Sequence, residues 1–127
     1  MATNPQKHVV TVGRYELTGS FAEYSAAAAA LAQRAEKEGD PGVLAYQFYA
    51  DPAAGTAGNL IIYADAGAWM RHHQMMSQWP ERIPFGGTVR FVEYRVLGPL
   101  SPEVLSFLAN AGITYAHFPE FAAGFVR

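Results

Sequence analysis

Apolar positions follow two alternating periods along this chain, one of a strand and one of a helix. From His8 to Leu17 the chain is β-branched and aromatic enough for a first strand, and Gly19-Ser20 breaks the run. Ser20 then reads as an N-cap with Glu23 three residues on, the two ends of a capping box. The alanine-rich stretch from Phe21 to about Glu38 favours helix, and Gly39-Asp40-Pro41-Gly42 stops it. Its Phe21, Tyr24, Ala28, Leu31 and Ala35 fall at three- and four-residue steps, so one stripe faces a core. Val43 to Ala50 alternates, with Leu44, Tyr46 and Phe48 on one side and Val43, Ala45, Gln47 and Tyr49 on the other. Turn chemistry from Asp51 to Gly58 leads to an antiparallel partner strand, Asn59 to Ala64. A second helix runs from Ala66 to about Gln78, Trp79 to Gly87 reads as an irregular link, and Thr88 to Leu97 is a fourth strand closed by Gly98-Pro99.

The order βαββαβ predicts an α+β fold of the ferredoxin-like kind, a four-stranded antiparallel sheet with helices on one face. Both sides of the strands are apolar or aromatic, so the uncovered face calls for a second copy, sheet against sheet in a homodimer. Beyond the fourth strand, Ser101 caps and Pro102 opens another helix that Gly112 ends. Ile113 to Arg127 follows without clear period, yet it is too rich in aromatic side chains for a free tail. It is expected to pack across the domain or onto the partner subunit, filling core surface or lining a ligand pocket. The reading is one domain over 1–127, with a core of about 8–98 and an extension over 99–127.

Composition narrows the partners. Half of the 127 residues are hydrophobic and 13% aromatic, while the formal charge is only -2, so nothing suggests a phosphate-binding surface and no nucleic acid is expected as a partner. The absence of cysteine excludes disulfides, thiolate nucleophiles and cysteine-based metal sites. Met1 to His8 is polar and no apolar run approaches the roughly 20 residues of a membrane helix, so a soluble, cytoplasmic protein is expected. No GxGxxG pattern or phosphate loop occurs, and no nucleotide cofactor is indicated.

The candidate chemistry gathers where Leu60-Ile61-Ile62-Tyr63 passes through Ala64-Asp65 into the second helix. That helix carries the only adjacent histidines, His72 and His73, flanked by Trp69, Met75 and Met76. Neighbours on a helix diverge by about 100°, so one imidazole is expected to face solvent, with Trp69, Met76 and the other on one stripe. Metal binding is not expected, because same-face ligands need a spacing of three or four residues. A histidine is instead suited to take a proton from a phenol or enol at neutral pH, leaving an anion able to react with dioxygen; its bland alternative is a structural imidazole at the helix–sheet contact. Tyr46, Phe48, Tyr63 and Phe91 or Tyr94 would line the space between sheet and helices, where a small aromatic ligand stacks. Arg90 and Arg95, expected on opposite sides of the fourth strand together with Glu93, suit an anionic oxygen or a charge pair at the dimer contact. Asn59, at the opening of its strand, could offer an amide to a carbonyl.

The order of elements, Tyr63-Ala64-Asp65, the helix from Trp69 to His72 and the ending Arg95-Val96-Leu97-Gly98-Pro99 together resemble the antibiotic biosynthesis monooxygenase (ABM) domain family over roughly residues 8–98. That resemblance implies a dimeric α/β barrel in which two four-stranded sheets face each other with helices outside. It places His72 where members carry a histidine after a tyrosine-x-aspartate turn. Members include cofactor-independent oxygenases of polyketide tailoring, quinol-type oxygenases and haem-degrading enzymes. The asparagine, tryptophan and histidine set of haem degradation is not met, since His72 stands at the tryptophan's place and the first strand has no asparagine. Two functions follow as expectations: a monooxygenase without cofactor acting on a phenolic or enolisable aromatic substrate, or a non-catalytic dimer that binds a small hydrophobic ligand.

Overall fold

The computed structural model describes residues 4–127; Met1, Ala2 and Thr3, which open the polar N-terminal segment, lie outside the described residues. The chain runs β1 (Val9–Leu17), α1 (Phe21–Glu38), β2 (Val43–Asp51), β3 (Thr56–Tyr63), α2 (Ala66–Met76), α3 (Arg82–Gly86), β4 (Val89–Leu97), α4 (Pro102–Asn110) and β5 (Ala116–Phe118). The strands form one sheet in the order β2-β3-β1-β4-β5. Its first four strands are antiparallel and have the connectivity expected of βαββαβ.

The sheet departs from the expected four antiparallel strands. β5 pairs in parallel with β4, Arg95 to Leu97 lying against Ala116 to Phe118, so the sheet is five-stranded and mixed. The tail supplies that strand by a backbone ladder, which three residues without periodicity do not announce. β3 begins three residues earlier than expected, at Thr56, because cross-strand partners Tyr15 and Glu16 hold Ala57 and Thr56 in register despite the nearby glycines. The link after α2 is not wholly irregular. Arg82 to Gly86 makes a short helix that buries Phe85, and Trp79 just before it is buried too.

Local signals account for the helix starts. Ser20 Oγ accepts the Glu23 N–H at 3.1 Å while Glu23 Oε1 accepts the Ser20 N–H at 3.0 Å. Asp65 caps α2 through Ala68 N–H at 2.8 Å, and Ser101 caps α4. α1 buries Tyr24, Ala27, Ala28, Leu31 and Ala35, and α2 buries Ala68, Trp69 and His72 against one sheet face. Two apolar clusters result. One joins α1 and α3 to Tyr15 and Ala57; the other joins α2 and α4 to Val9, Ile61, Tyr63 and Val96.

Two irregularities re-aim side chains. In β2, a register shift between Val43 and Ala45 turns Val43 onto the core with Tyr46 and leaves Leu44 exposed, contrary to the simple alternation expected there. In β4, Glu93 stands opposite Arg14 but Phe91 opposite Tyr15, so Val92 is an extra residue. That bulge brings Arg90 and Arg95 to the same face, not opposite ones: Arg90 pairs with Glu16 at 2.6 Å, while Arg95 and Arg14 both pair with Glu93. This open face also carries Val10, Val12, Leu60, Ile62 and Leu97, of which Val12 and Leu97 are exposed.

The tail divides in two. Ile113 and Tyr115 pack on the cluster around α2 and α4, and the His117 Nε2–H donates to Gly98 O at 2.8 Å. Phe118, Phe121, Phe125 and Val126 remain exposed. Among the described residues, no helix is long and apolar enough to cross a membrane.

Candidate functional site

Between the helix-covered face of the sheet and α2 and α3 lies a cavity of about 870 Å³. Strand alternation puts Thr11 and Tyr15 of β1, Tyr46 and Phe48 of β2, Asn59, Ile61 and Tyr63 of β3 and Tyr94 of β4 on its sheet side. Trp69, His72, His73 and Met76 form its helix side, and residues 112–116 close a further wall. Every residue singled out for ligand contact, Trp69, Met76, Tyr46, Phe48, Tyr63 and Phe91, lies on this one space with the two histidines. Arg82, Phe91, Val92 and Thr114 line it and reach solvent, marking its mouth.

Neither imidazole turns away to solvent, which overturns the expectation for the pair. Trp69, His72, His73 and Met76 are spaced i, i+3, i+4, i+7, a stripe about 100° wide, so the histidines straddle its midline and each is only about 50° off. Their ring centroids are 5.3 Å apart. His72 leans toward Tyr46 (5.2 Å), Tyr63 (5.8 Å) and Trp79 (5.9 Å), and is 1% exposed. His73 leans the other way, stacked on Trp69 with Phe107 at its edge.

Hydrogen bonds set the polarity of the cavity. His73 Nδ1 lies 2.8 Å from Trp69 O; a carbonyl only accepts, so Nδ1 carries the proton and Nε2 is left with a lone pair. His72 Nδ1 is buried with no hydrogen-bond partner among the described residues. Burial lowers both imidazoles from 6.5 to about 4; the Asp40 carboxylate opposes this at His72, while at His73 the bond to Trp69 O opposes it and His72 reinforces it. Both rings are therefore neutral at pH 7. Trp69 Nε1 donates to the Tyr94 hydroxyl at 3.0 Å, and Asn59 Nδ2 donates to the Tyr15 hydroxyl at 3.0 Å. The Tyr63 hydroxyl, beside Thr11, meets no partner in hydrogen-bond geometry among the described residues. Burial raises Tyr15, Tyr46, Tyr63 and Tyr94 above the usual phenol range, so the phenols remain donors.

Tyr15, Thr11 and Arg82 carry no sequence signal for this cavity, and of the tail, expected to fill core surface or to line a pocket, it is residues 112–116 that form the wall. Their membership is decided by cross-strand register and by the path of the tail, which leave no local signal. Asn59, expected at a strand opening, sits in mid-strand opposite Gly13. Among the described residues no group of three or more histidine, aspartate or glutamate side chains is arranged to hold a metal ion.

No protein-family model matches the chain, and no curated protein sequence matches it. Solved structures do. The chain is similar to MupZ from Pseudomonas fluorescens, with a TM-score of 0.73 at 20% identity over 95% of each chain. It is similar to SnoaB, a cofactor-independent oxygenase from Streptomyces nogalater, with a TM-score of 0.61 at 18% identity over 71% of this chain and 90% of that one. A candidate antibiotic biosynthesis monooxygenase from Caulobacter crescentus gives 0.58 at 23% identity over 70% and 88%. The likeness to MupZ takes in most of the extension after Gly98. At these identities the comparisons establish the fold, which is that of the ABM-like proteins.

Proposed function

From this ABM-like fold and the ring-lined cavity, we propose that the chain is a homodimeric oxygenase without cofactor, acting on a phenolic or enolisable aromatic substrate. The observation that carries the reading is His73: a neutral imidazole on the cavity, its Nδ1–H anchored on the Trp69 carbonyl, its Nε2 free to accept a proton. In the reaction, Nε2 takes the proton of the phenol or enol. The resulting anion passes one electron to dioxygen, the radical pair joins as a carbon-bound peroxide, and the imidazolium returns its proton to the peroxide. For an anthrone-like substrate, loss of water then gives the quinone, so one dioxygen yields one inserted oxygen and one water. His72 packs against His73 and, by keeping the pair uncharged, holds it ready as a base.

The magnitudes make a demand. Moving a proton from a phenol near 10 to an imidazole near 4 costs about 8 kcal/mol before other interactions are counted. Hydrogen bonds to a charged oxygen recover roughly 1.5–3 kcal/mol each, so the anion needs donors beside it. The same low basicity favours a second reading, a ligand carrier without turnover. A homodimer through the open sheet face and a cytoplasmic setting belong to this proposal; Val10, Val12, Leu60, Ile62 and Leu97 supply the apolar surface for the former.

Oxygen uptake with anthrone or a quinol tests it. Turnover that falls at least tenfold in His73→Ala or His72→Ala supports the oxygenase; a rate unaffected in both removes the imidazoles from the mechanism. No uptake at all, with a hydrophobic ligand retained in native mass spectrometry, selects the carrier.

A further inference from the structure

One arrangement at the sheet side of the cavity is not used by the base chemistry. Asn59 stands opposite Gly13 on the neighbouring strand. With no side chain at 13, its amide folds across β1: Oδ1 accepts the Gly13 N–H at 3.0 Å and Nδ2 donates to the Tyr15 hydroxyl at 3.0 Å. A backbone N–H can only donate, so it fixes which end of the amide is oxygen, and the nitrogen is left to face Tyr15. The Tyr15 oxygen is the acceptor in that bond. Its own proton goes to no group among the described residues.

The ring is held as firmly as the hydroxyl. Tyr15 is 8% exposed and meets Phe91 and Phe85 edge-on, at 5.3 and 6.0 Å between centroids. A β-carbon at position 13 would lie 2.6 Å from Asn59 Oδ1 and 3.0 Å from the Tyr15 hydroxyl, so the pair depends on the glycine beneath it. Tyr94, the other phenol that accepts a bond here, takes it from the Trp69 indole of α2 rather than from a neighbouring strand.

We propose that Tyr15, oriented by Asn59, is the donor that holds the carbonyl or developing oxyanion of an aromatic ligand in this cavity. This inference rests on the ligand reading given above. A hydroxyl proton left unspent in an apolar, ring-lined space is satisfied when the occupant brings an acceptor. Because the donor is a neutral phenol fixed at the sheet, it suits a planar aryl ketone, quinone or phenolate better than a flexible carboxylate. On proton loss from the substrate, charge grows on that same oxygen, and the bond strengthens as the anion forms.

The test uses anthrone with a ¹³C-labelled carbonyl, bound to the full chain under argon so that no turnover occurs, with affinity read from tryptophan fluorescence and the carbonyl stretch from difference infrared spectra. The native protein is expected to shift the stretch to lower wavenumber. Tyr15→Phe is expected to abolish that shift and weaken binding at least fivefold, while Tyr94→Phe keeps most of it. A Tyr15→Phe protein with native shift and affinity overturns the proposal and leaves the ligand reading standing; a native protein that binds no anthrone overturns both. Should Tyr15→Phe fail to fold, 3-fluorotyrosine at position 15 keeps the ring and the Asn59 bond with a more acidic hydroxyl. A larger shift is then expected, and an unchanged one overturns the proposal.

Discussion

The His73 imidazole lies flat on the Trp69 indole, ring centroids 3.7 Å apart and planes 18° from parallel. One residue thus fixes the other twice, by its ring face and by its backbone oxygen, which accepts the His73 Nδ1–H. Trp69 is itself tied to Tyr94 through Nε1, so the orientation of the base is set by a chain reaching from α2 to β4. Mobility of the imidazole, and with it the choice of tautomer, is removed before any ligand arrives.

The pH profile of turnover follows from the burial of this pair. An ordinary histidine base would lose activity as pH falls through 6.5. With both rings held near 4, kcat/KM is expected to stay level from pH 8 down to about 5 and to fall only as pH approaches 4. A fall centred near 6.5 in steady-state oxygen uptake would contradict the burial described for these rings.

Stability should show the same groups with the opposite emphasis. Each imidazole binds a proton more readily in the unfolded chain, at 6.5, than in the fold, at about 4. The unfolded state therefore gains protons first as pH drops, and stability present above pH 6.5 is lost between 6.5 and 4, on the order of 3 kcal/mol for each ring. Urea unfolding at pH 7.5, 6, 5 and 4.5 checks this, and His73→Phe is expected to flatten the slope by about half.

Gly13→Ala places a methyl group where the Asn59 amide and Tyr15 hydroxyl now meet. We expect a loss of about 1–3 kcal/mol in urea unfolding, the usual cost of overpacking, together with a carbonyl shift as small as that of Tyr15→Phe. Native values of both would mean that Asn59 swings aside freely and that the glycine has no part in the site.

The cavity wall from Gly112 to Ala116 hangs on Gly98. This residue has φ +107°, its N–H donates to Phe118 O at 2.9 Å, its carbonyl accepts from His117, and a β-carbon there would fall on the His8 carbonyl. Gly98→Ala is expected to cost at least about 2 kcal/mol and to open the tail to protease. His117→Ala removes one bond, and about 1 kcal/mol with it, while the strand pairing stays.

Elements whose signals are local were legible in the chain. The Ser20–Glu23 capping box, the Tyr24, Ala28, Leu31 and Ala35 stripe of α1 (though not Phe21, which is exposed), the Ser101 cap and the βαββαβ order all rest on residues a few positions apart. The misses share a physical cause, since each depends on a partner far away in sequence. Arg90 joins Arg95 on one face only because Val92 is extra opposite β1. β5 exists only because β4 offers a ladder, and α3 forms between Pro80 and Gly87 only because Phe85 has Tyr15, Tyr24 and Phe48 to bury against. At the site, a stripe of Trp69, Met76 and one histidine could be read from spacing. That the centre of this stripe faces the cavity, so that both histidines line it, and that Tyr15 joins them from β1, required the helix's rotation and the sheet's register.

The added parallel strand has an effect far from the cavity. By occupying the flank of β4 it makes that edge of the sheet a strand of only three residues, while at the opposite edge, β2, the register shift at Val43–Ala45 interrupts a straight row of amides. A foreign strand would find one edge short and the other kinked at its start, and short or bulged edges of this kind disfavour side-to-side sheet extension.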